Sequence, residues 1–296
     1  MTGRIIRGVG GLYSVMAGED GALYDCLARG RFRKDGEKPM VGDIVTFAPG
    51  SGDEKGYLLE ICPRKNALVR PAVANIDKLI IVLAARAPQP DWPLTDRMLM
   101  SALEQSVECL IAVNKSDLGD ESAALARDDY APVGVDVVPV SVVAGAGLDV
   151  LKSFLTFESK LGTAGLAGQS AVGKSSLLAE LLGISLETGG LSRIERGRHT
   201  TRRVELLPLP WGGLVADTPG FSLLETARRD PQTVAVGWPE FLPHAVSCRF
   251  TGCRHIGEAG CAVAEAAEEG VISVRRLARY RALYALVKDD WDRRYR

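Results

Sequence analysis

Apolar positions in the first 66 residues fall in short runs, Leu12–Val15, Leu23–Leu27, Ile44–Phe47 and Tyr57–Ile61, separated by polar turn clusters such as Gly18-Glu19-Asp20-Gly21. Short strands at this regular spacing predict a small β-barrel. From about residue 67 the pattern changes. Asp77–Ala84 carries a continuous apolar run, as a strand buried on both faces requires. Arg97–Val107 then has apolar residues at helical spacing. Strands are expected at Cys109–Val113, Asp136–Val140, Thr163–Ala167, Val204–Leu209 and Gly213–Ala216, with helices at Leu148–Leu155 and from about Ser175 to Leu182. Strands alternating with helices predict a parallel α/β sheet whose ligand sites lie at the carboxyl ends of its strands. Beyond residue 222 no strand pattern continues, and helices are expected over Cys261–Glu269 and Val274–Val287. These shifts divide the chain into three domains, 1–66, 67–222 and 223–296.

The chain has 296 residues, 46% hydrophobic and 25% charged, the make-up of an ordinary globular protein rather than a disordered or fibrous one. Its longest apolar run, Leu79–Ala85, is far shorter than the ~20 residues of a membrane span. The opening MTGRIIRGVGG is broken by Gly and Arg before a signal-peptide core forms. A cytoplasmic monomer with no membrane partner is expected. The net charge of −1 hides an acidic middle between two mildly basic ends, which permits local phosphate-binding faces.

Gly168-Gln169-Ser170-Ala171-Val172-Gly173-Lys174-Ser175 fits G-x-x-x-x-G-K-[ST], between an expected strand and an expected helix. With Ser176 it forms a candidate phosphate-binding run: glycines let backbone N–H groups wrap an anion, Lys174 reaches the β/γ-phosphates, and the Ser175 hydroxyl meets Mg²⁺. Asp217-Thr218-Pro219-Gly220 follows a strand, placing a carboxylate for a magnesium water and the Gly220 N–H for a γ-phosphate. Asn114-Lys115-Ser116-Asp117 ends another strand. A guanine edge offers N1–H and N2–H₂ together, which one carboxylate accepts; adenine offers a lone pair instead, so Asp117 selects guanine. Asn114 is expected to orient this loop, the Lys115 stem to cover the ring, and Ser141 to supply a second base-contact loop. The base motif precedes the phosphate motif, the reverse of an ordinary GTPase. A sheet still closes in that order if the chain is circularly permuted. DTPG then joins the C-terminal region directly, so nucleotide state is expected to move that region.

Cys248, Cys253, His255 and Cys261 gather three thiols and one imidazole in fourteen residues. That set closes a tetrahedral Zn²⁺ site with no open position, a structural metal. Cys26, Cys62 and Cys109 read as small core residues. Two segments suit RNA: Arg29-Gly30-Arg31-Phe32-Arg33-Lys34, which reads equally as a solvated loop with Phe32 tucked into the barrel, and the C-terminal arginines Arg275, Arg276, Arg279, Arg281, Arg293, Arg294 and Arg296.

With these motifs, Arg70–Asp77, Gly197-Arg198-His199-Thr200-Thr201 and DTPGF in hand, the chain resembles the RsgA/YjeQ family of small-ribosomal-subunit-dependent, circularly permuted GTPases. The resemblance implies a multi-domain protein: an N-terminal OB-fold β-barrel, a circularly permuted P-loop α/β GTPase domain and a C-terminal helical zinc-binding domain. It implies GTP hydrolysis in late maturation of the small subunit, with rRNA as partner. Phe221 stands where many GTPases hold the glutamine that orients the lytic water. By resemblance His199 replaces that function, and Thr200 or Thr201 gives the switch hydroxyl to Mg²⁺. A guanine-nucleotide-controlled RNA-binding module with incidental hydrolysis, and a large-subunit GTPase, stay open as alternatives.

Overall fold

The computed structural model describes residues 1–28, 32, 38–51, 54–68, 72–184, 204–217 and 229–294. Five strands, β1 (Thr2–Val9), β2 (Leu12–Ala17), β3 (Leu23–Ala28), β4 (Ile44–Ala48) and β5 (Gly56–Ile61), close in the order β1-β2-β3-β5-β4 and back to β1. Ile5, Val15, Cys26, Val45, Phe47 and Leu58 fill the barrel. Closure removes the exposed edges an open sheet would carry. The opening strand β1 escapes the sequence pattern because Gly3, Arg4, Arg7 and Gly8 interrupt its apolar residues. Phe32 joins the barrel core, which settles the two readings of that aromatic in favour of packing. Arg29, Arg31, Arg33 and Lys34 lie outside the described residues.

The short pair β6 (Ala67–Leu68) and β7 (Val73–Ala74) leads into the α/β sheet. Its elements are β8 (Lys78–Ala84), α1 (Trp92–Glu104), β9 (Glu108–Asn114), α2 (Glu121–Tyr130), β10 (Asp136–Pro139), α3 (Leu148–Phe154), β11 (Thr163–Gly168), α4 (Lys174–Leu181), β12 (Glu205–Pro208) and β13 (Leu214–Asp217). The strand order is β10-β9-β8-β11-β13-β12, parallel except for the β12–β13 hairpin. Side chains alternate across the pleat. Leu79, Ile81 and Leu83 meet α1 and α2 on one face, while Ile80, Val82 and Ala84 meet α3 and α4 on the other. Beyond a bulge in β1, Arg7 pairs with Glu205, so barrel and α/β sheet share hydrogen-bonded strands. The buried Arg4 pins the same junction, donating to the Asn75 carbonyl and to the Thr163 hydroxyl.

Two helices differ from expectation. α1 starts at Trp92 rather than Arg97, because the Asp91 side chain accepts from Leu94 N at 2.9 Å and Pro93 sits in the first turn. α2 is an addition to the expected elements: ESAALARDDY looks polar, yet Ala123, Ala126, Asp129 and Tyr130 are buried.

The C-terminal region holds helical turns at Pro231–Gly237 and Pro239–Phe241, then α5 (Leu242–Ala245), α6 (Ala262–Glu268) and α7 (Val274–Arg293). Trp238, Phe241, Leu277, Tyr280, Leu283 and Val287 form its core, together with Met100 from α1. The basic face expected on α7 is not one surface. Arg276 is fully buried and Arg279 nearly so, both bonded to Asp96 of α1, while Arg275 and Arg279 reach Asp129 of α2. Burying a guanidinium is costly unless it is fully paired, and these side chains are consumed in holding the region against α1 and α2. Among the described residues, no helix is long and apolar enough to cross a membrane.

Candidate nucleotide and metal sites

The phosphate-loop strand β11 lies between β8 and β13, so Gly168–Gly173 leaves the centre of the sheet at its carboxyl edge. Gly168 has φ +144, and a Cβ there would stand 2.2 Å from the Val82 carbonyl oxygen. Gly173, at φ +96, would drive a Cβ to 2.3 Å from Asn114 Nδ2. Both positions therefore require glycine. Lys174 and Ser175 open α4, whose first-turn N–H groups face the loop. Lys174 Nζ donates to the Gly168 and Gln169 carbonyls at 2.7 and 2.6 Å, and burial lowers its pKa. An anion at the loop would relieve that partly buried ammonium.

The base loop comes from β9. Asn114 is buried and donates through Nδ2 to the Val172 carbonyl at 2.9 Å. Lys115, in the left-handed region at φ +62, donates to Ala171 O at 2.9 Å and to Ala87 O at 2.6 Å. Ser141 is buried beside β10, and its hydroxyl donates to Asp117 Oδ1 at 2.5 Å while accepting from Ala144 N. Three stretches far apart in the chain thus meet at one edge of the sheet. Asn114, Lys115, Asp117, Ser141 and Gly168–Ser176 gather there, with a carboxylate held in line by Ser141 and a cation–glycine cradle alongside. The Ala87 carbonyl has no signal in the sequence, since it belongs to a loop with no motif of its own.

Asp217 ends β13, next to β11. His199, Thr200, Thr201, Gly220 and Phe221 lie outside the described residues.

In the C-terminal region, the ligand atoms of Cys248, Cys253, His255 and Cys261 all lie within 4.8 Å of one another. His255 Nδ1 stands 3.6 Å from Cys248 Sγ and 3.4 Å from Cys261 Sγ. A zinc tetrahedron with Zn–S of ~2.3 Å has ligand–ligand edges just under about 4 Å, so this donor set fits the ion. Burial lowers the His255 pKa, favouring the neutral imidazole that can ligate. Glu258 braces the loop, accepting from Arg254 N and Ile256 N at 2.7 and 2.8 Å. His244 is outside the cluster, and all six cysteines are free of disulfides.

Two family models match: "RsgA GTPase" over residues 61–227 and "RsgA N-terminal domain" over residues 2–58. The chain is similar to the small ribosomal subunit biogenesis GTPase RsgA of Ruminiclostridium cellulolyticum, 45% identical over 97% of this chain and 94% of that protein. It is likewise similar to that of Caldanaerobacter subterraneus, 43% identical over 99% and 98%. Among solved structures, YjeQ from Thermotoga maritima superposes with a TM-score of 0.83 at 31% identity, covering 97% of this chain and 98% of that one. YloQ, described as a circularly permuted GTPase, gives 0.79 at 32% identity over 97% and 95%.

Proposed function

The chain belongs to the RsgA GTPase family, and from that premise we propose that it hydrolyses GTP as a biogenesis factor of the small ribosomal subunit. The observation that carries this reading is the Asn114–Val172 hydrogen bond, which joins a guanine-selective loop to a phosphate loop despite their reversed order in the chain. Neither the RNA-module nor the large-subunit alternative has an observation of its own.

Asp117, aligned by Ser141, accepts the two donors of the guanine edge, and the Lys115 stem covers the ring. When nucleotide enters, Lys174 exchanges the Gly168 and Gln169 carbonyls for β/γ-phosphate oxygens, and the loop N–H groups through Ser176 hold the rest. Magnesium, when bound, offsets the charge of the β- and γ-phosphates; the hard oxygen donors suited to it are the Ser175 hydroxyl, the Asp217 carboxylate and the hydroxyl of Thr200 or Thr201. The Gly220 N–H is assigned to the γ-phosphate. His199 is assigned the polar role that Phe221 cannot fill, so intrinsic turnover is slow and the ribosomal partner completes the site.

Zinc would supply structure only, held by Cys248, Cys253, His255 and Cys261, while Tyr280 and Arg281 of α7 bind that loop through the Arg254 and His255 carbonyls. The domain limits 1–66, 67–222 and 223–296 follow the barrel, the α/β sheet and the zinc region. The partner is the small subunit through its rRNA, met in the cytoplasm by a monomer. A GTPase assay with purified small subunits, large subunits and neither tests the reading. Marked stimulation by small subunits alone is expected; equal rates in all three would refute it.

A further inference from the structure

The C-terminal region is fastened to helices α1 and α2 by a buried ionic knot. Asp96 of α1 accepts from Tyr130 Oη and Arg276 Nη1, both at 2.7 Å, and from Arg279 Nε. Asp129 of α2 accepts from Ser273 Oγ at 2.6 Å, and from Arg275 Nε and Arg279 Nη2, both at 3.0 Å. Arg276 completes its donors on Glu240 and on the Gly237 carbonyl, and stacks over Tyr130 and Trp238. Arg229 adds an ion pair to Glu104 at the end of α1.

α2 follows the base loop directly, and α1 follows the segment after β8 that touches it. The segment between β8 and α1 carries Ala85 and Ala87. The Ala87 carbonyl accepts from Lys115 Nζ, and the Ala85 carbonyl accepts from Ser122 Oγ in the first turn of α2 at 2.7 Å. Ala85 N in turn donates to Asn114 O. These contacts link Lys115 to the segments that open α1 and α2, the helices that carry Asp96, Asp129 and Tyr130. In the sheet, β13, after which the γ-phosphate elements begin, is separated by β11 from β8, β9 and β10, the strands that α1 and α2 connect.

We propose that docking of the C-terminal region is coupled to occupancy of the guanine site, by GTP and GDP alike, rather than to the γ-phosphate. This rests on the guanine-site reading above. It replaces the expectation that DTPG moves the region through its direct covalent connection.

Hydrogen–deuterium exchange of α7 in the full-length zinc-loaded chain tests it, with no nucleotide, with GDP and with a non-hydrolysable GTP analogue. Local opening sets exchange rates. Saturating GDP and the analogue are each expected to slow exchange over residues 275–284 about threefold or more, and to equal extents. Coupling is reciprocal, so Arg279→Met, or the near-isosteric Asp129→Asn if the first variant folds poorly, should abolish the nucleotide-dependent protection and weaken GDP binding by the same factor. Protection by the GTP analogue alone overturns the proposal in favour of a γ-phosphate route. Absence of protection with both nucleotides demonstrably bound, or unchanged protection in a folded variant, also overturns it and leaves the guanine-site reading standing. If the wild-type chain binds neither nucleotide, both fall together.

Discussion

Asn114 donates its side-chain amide to the main-chain carbonyl of Val172, 58 residues further along, at 2.9 Å. The contact ties the β9 loop to the phosphate loop, and Gly173 leaves room for it because any Cβ there would occupy the place of Asn114 Nδ2.

Gly173→Ala therefore strikes both loops at once. The added methyl meets Asn114 at 2.3 Å on a backbone at φ +96, which L side chains rarely adopt. Titration with a fluorescent GDP should show a loss of affinity of tenfold or more, with the circular dichroism spectrum of the wild type retained. Wild-type affinity in this variant would show that the two loops are independent.

Asp117→Asn exchanges an acceptor-only carboxylate for an amide. Guanine then faces one acceptor and one donor where it needs two acceptors, whereas xanthine, with N1–H beside a carbonyl, matches the amide. GTP affinity should drop by about 10²-fold or more and XTP should bind better than GTP. Competition binding with GTP, XTP and ATP measures this, and retention of the GTP-over-ATP preference would place base recognition elsewhere.

Much of the nucleotide site is legible from the sequence because phosphate and guanine recognition demand fixed residue types at fixed short spacings. Gly168 to Ser175 and Asn114 to Asp117 are local signals, and so is Cys248 to Cys261. The fastening of the C-terminal region is different. Asp96 and Arg276 lie 180 residues apart, and each alone reads as an ordinary charge on a helix surface. No periodicity distinguishes an arginine that faces a buried carboxylate from one that faces water, so Arg276 and Arg279 look like RNA-facing cations until α1 and α2 are placed. The barrel strand β1 hides similarly, since its Arg4 is buried by contacts to Asn75 and Thr163 that only the folded junction supplies.

Cys253→Ser removes one of four zinc ligands. A hydroxyl is a poor substitute for a thiolate, and the remaining three donors leave the ion open to chelators. Metal analysis of the purified variant should find less than one equivalent of zinc, with loss of helical signal from the C-terminal region. A full equivalent retained after dialysis against EDTA would remove Cys253 from the ligand set.

The ionic knot also fixes how the molecule responds to acid. Burial opposes the charge on Asp129, but hydrogen bonds from Ser273 and Arg275 and the charge of Arg279 outweigh it, so its pKa falls below the ordinary 3.8. A depressed carboxylate contributes stability that is present above its unfolded value and disappears as pH falls through the folded one. Docking through Asp129 should therefore be insensitive to pH from neutrality down to about 4 and weaken only below that. Arg276→Met tests the same knot without a pH change: it strands Glu240 without the guanidinium it was buried against. Breaking one partner of a buried pair costs about 3–5 kcal/mol. Urea denaturation at pH 7, followed by tryptophan fluorescence from Trp238 beside Arg276, should show a destabilisation of that order for Arg276→Met. The destabilisation caused by Asp129→Asn, measured as a difference from the wild type so that His255 and its zinc affect both alike, should be the same at pH 7 and pH 5. A difference that shrinks steadily between those values would mean that Asp129 is not held below its ordinary range by the knot.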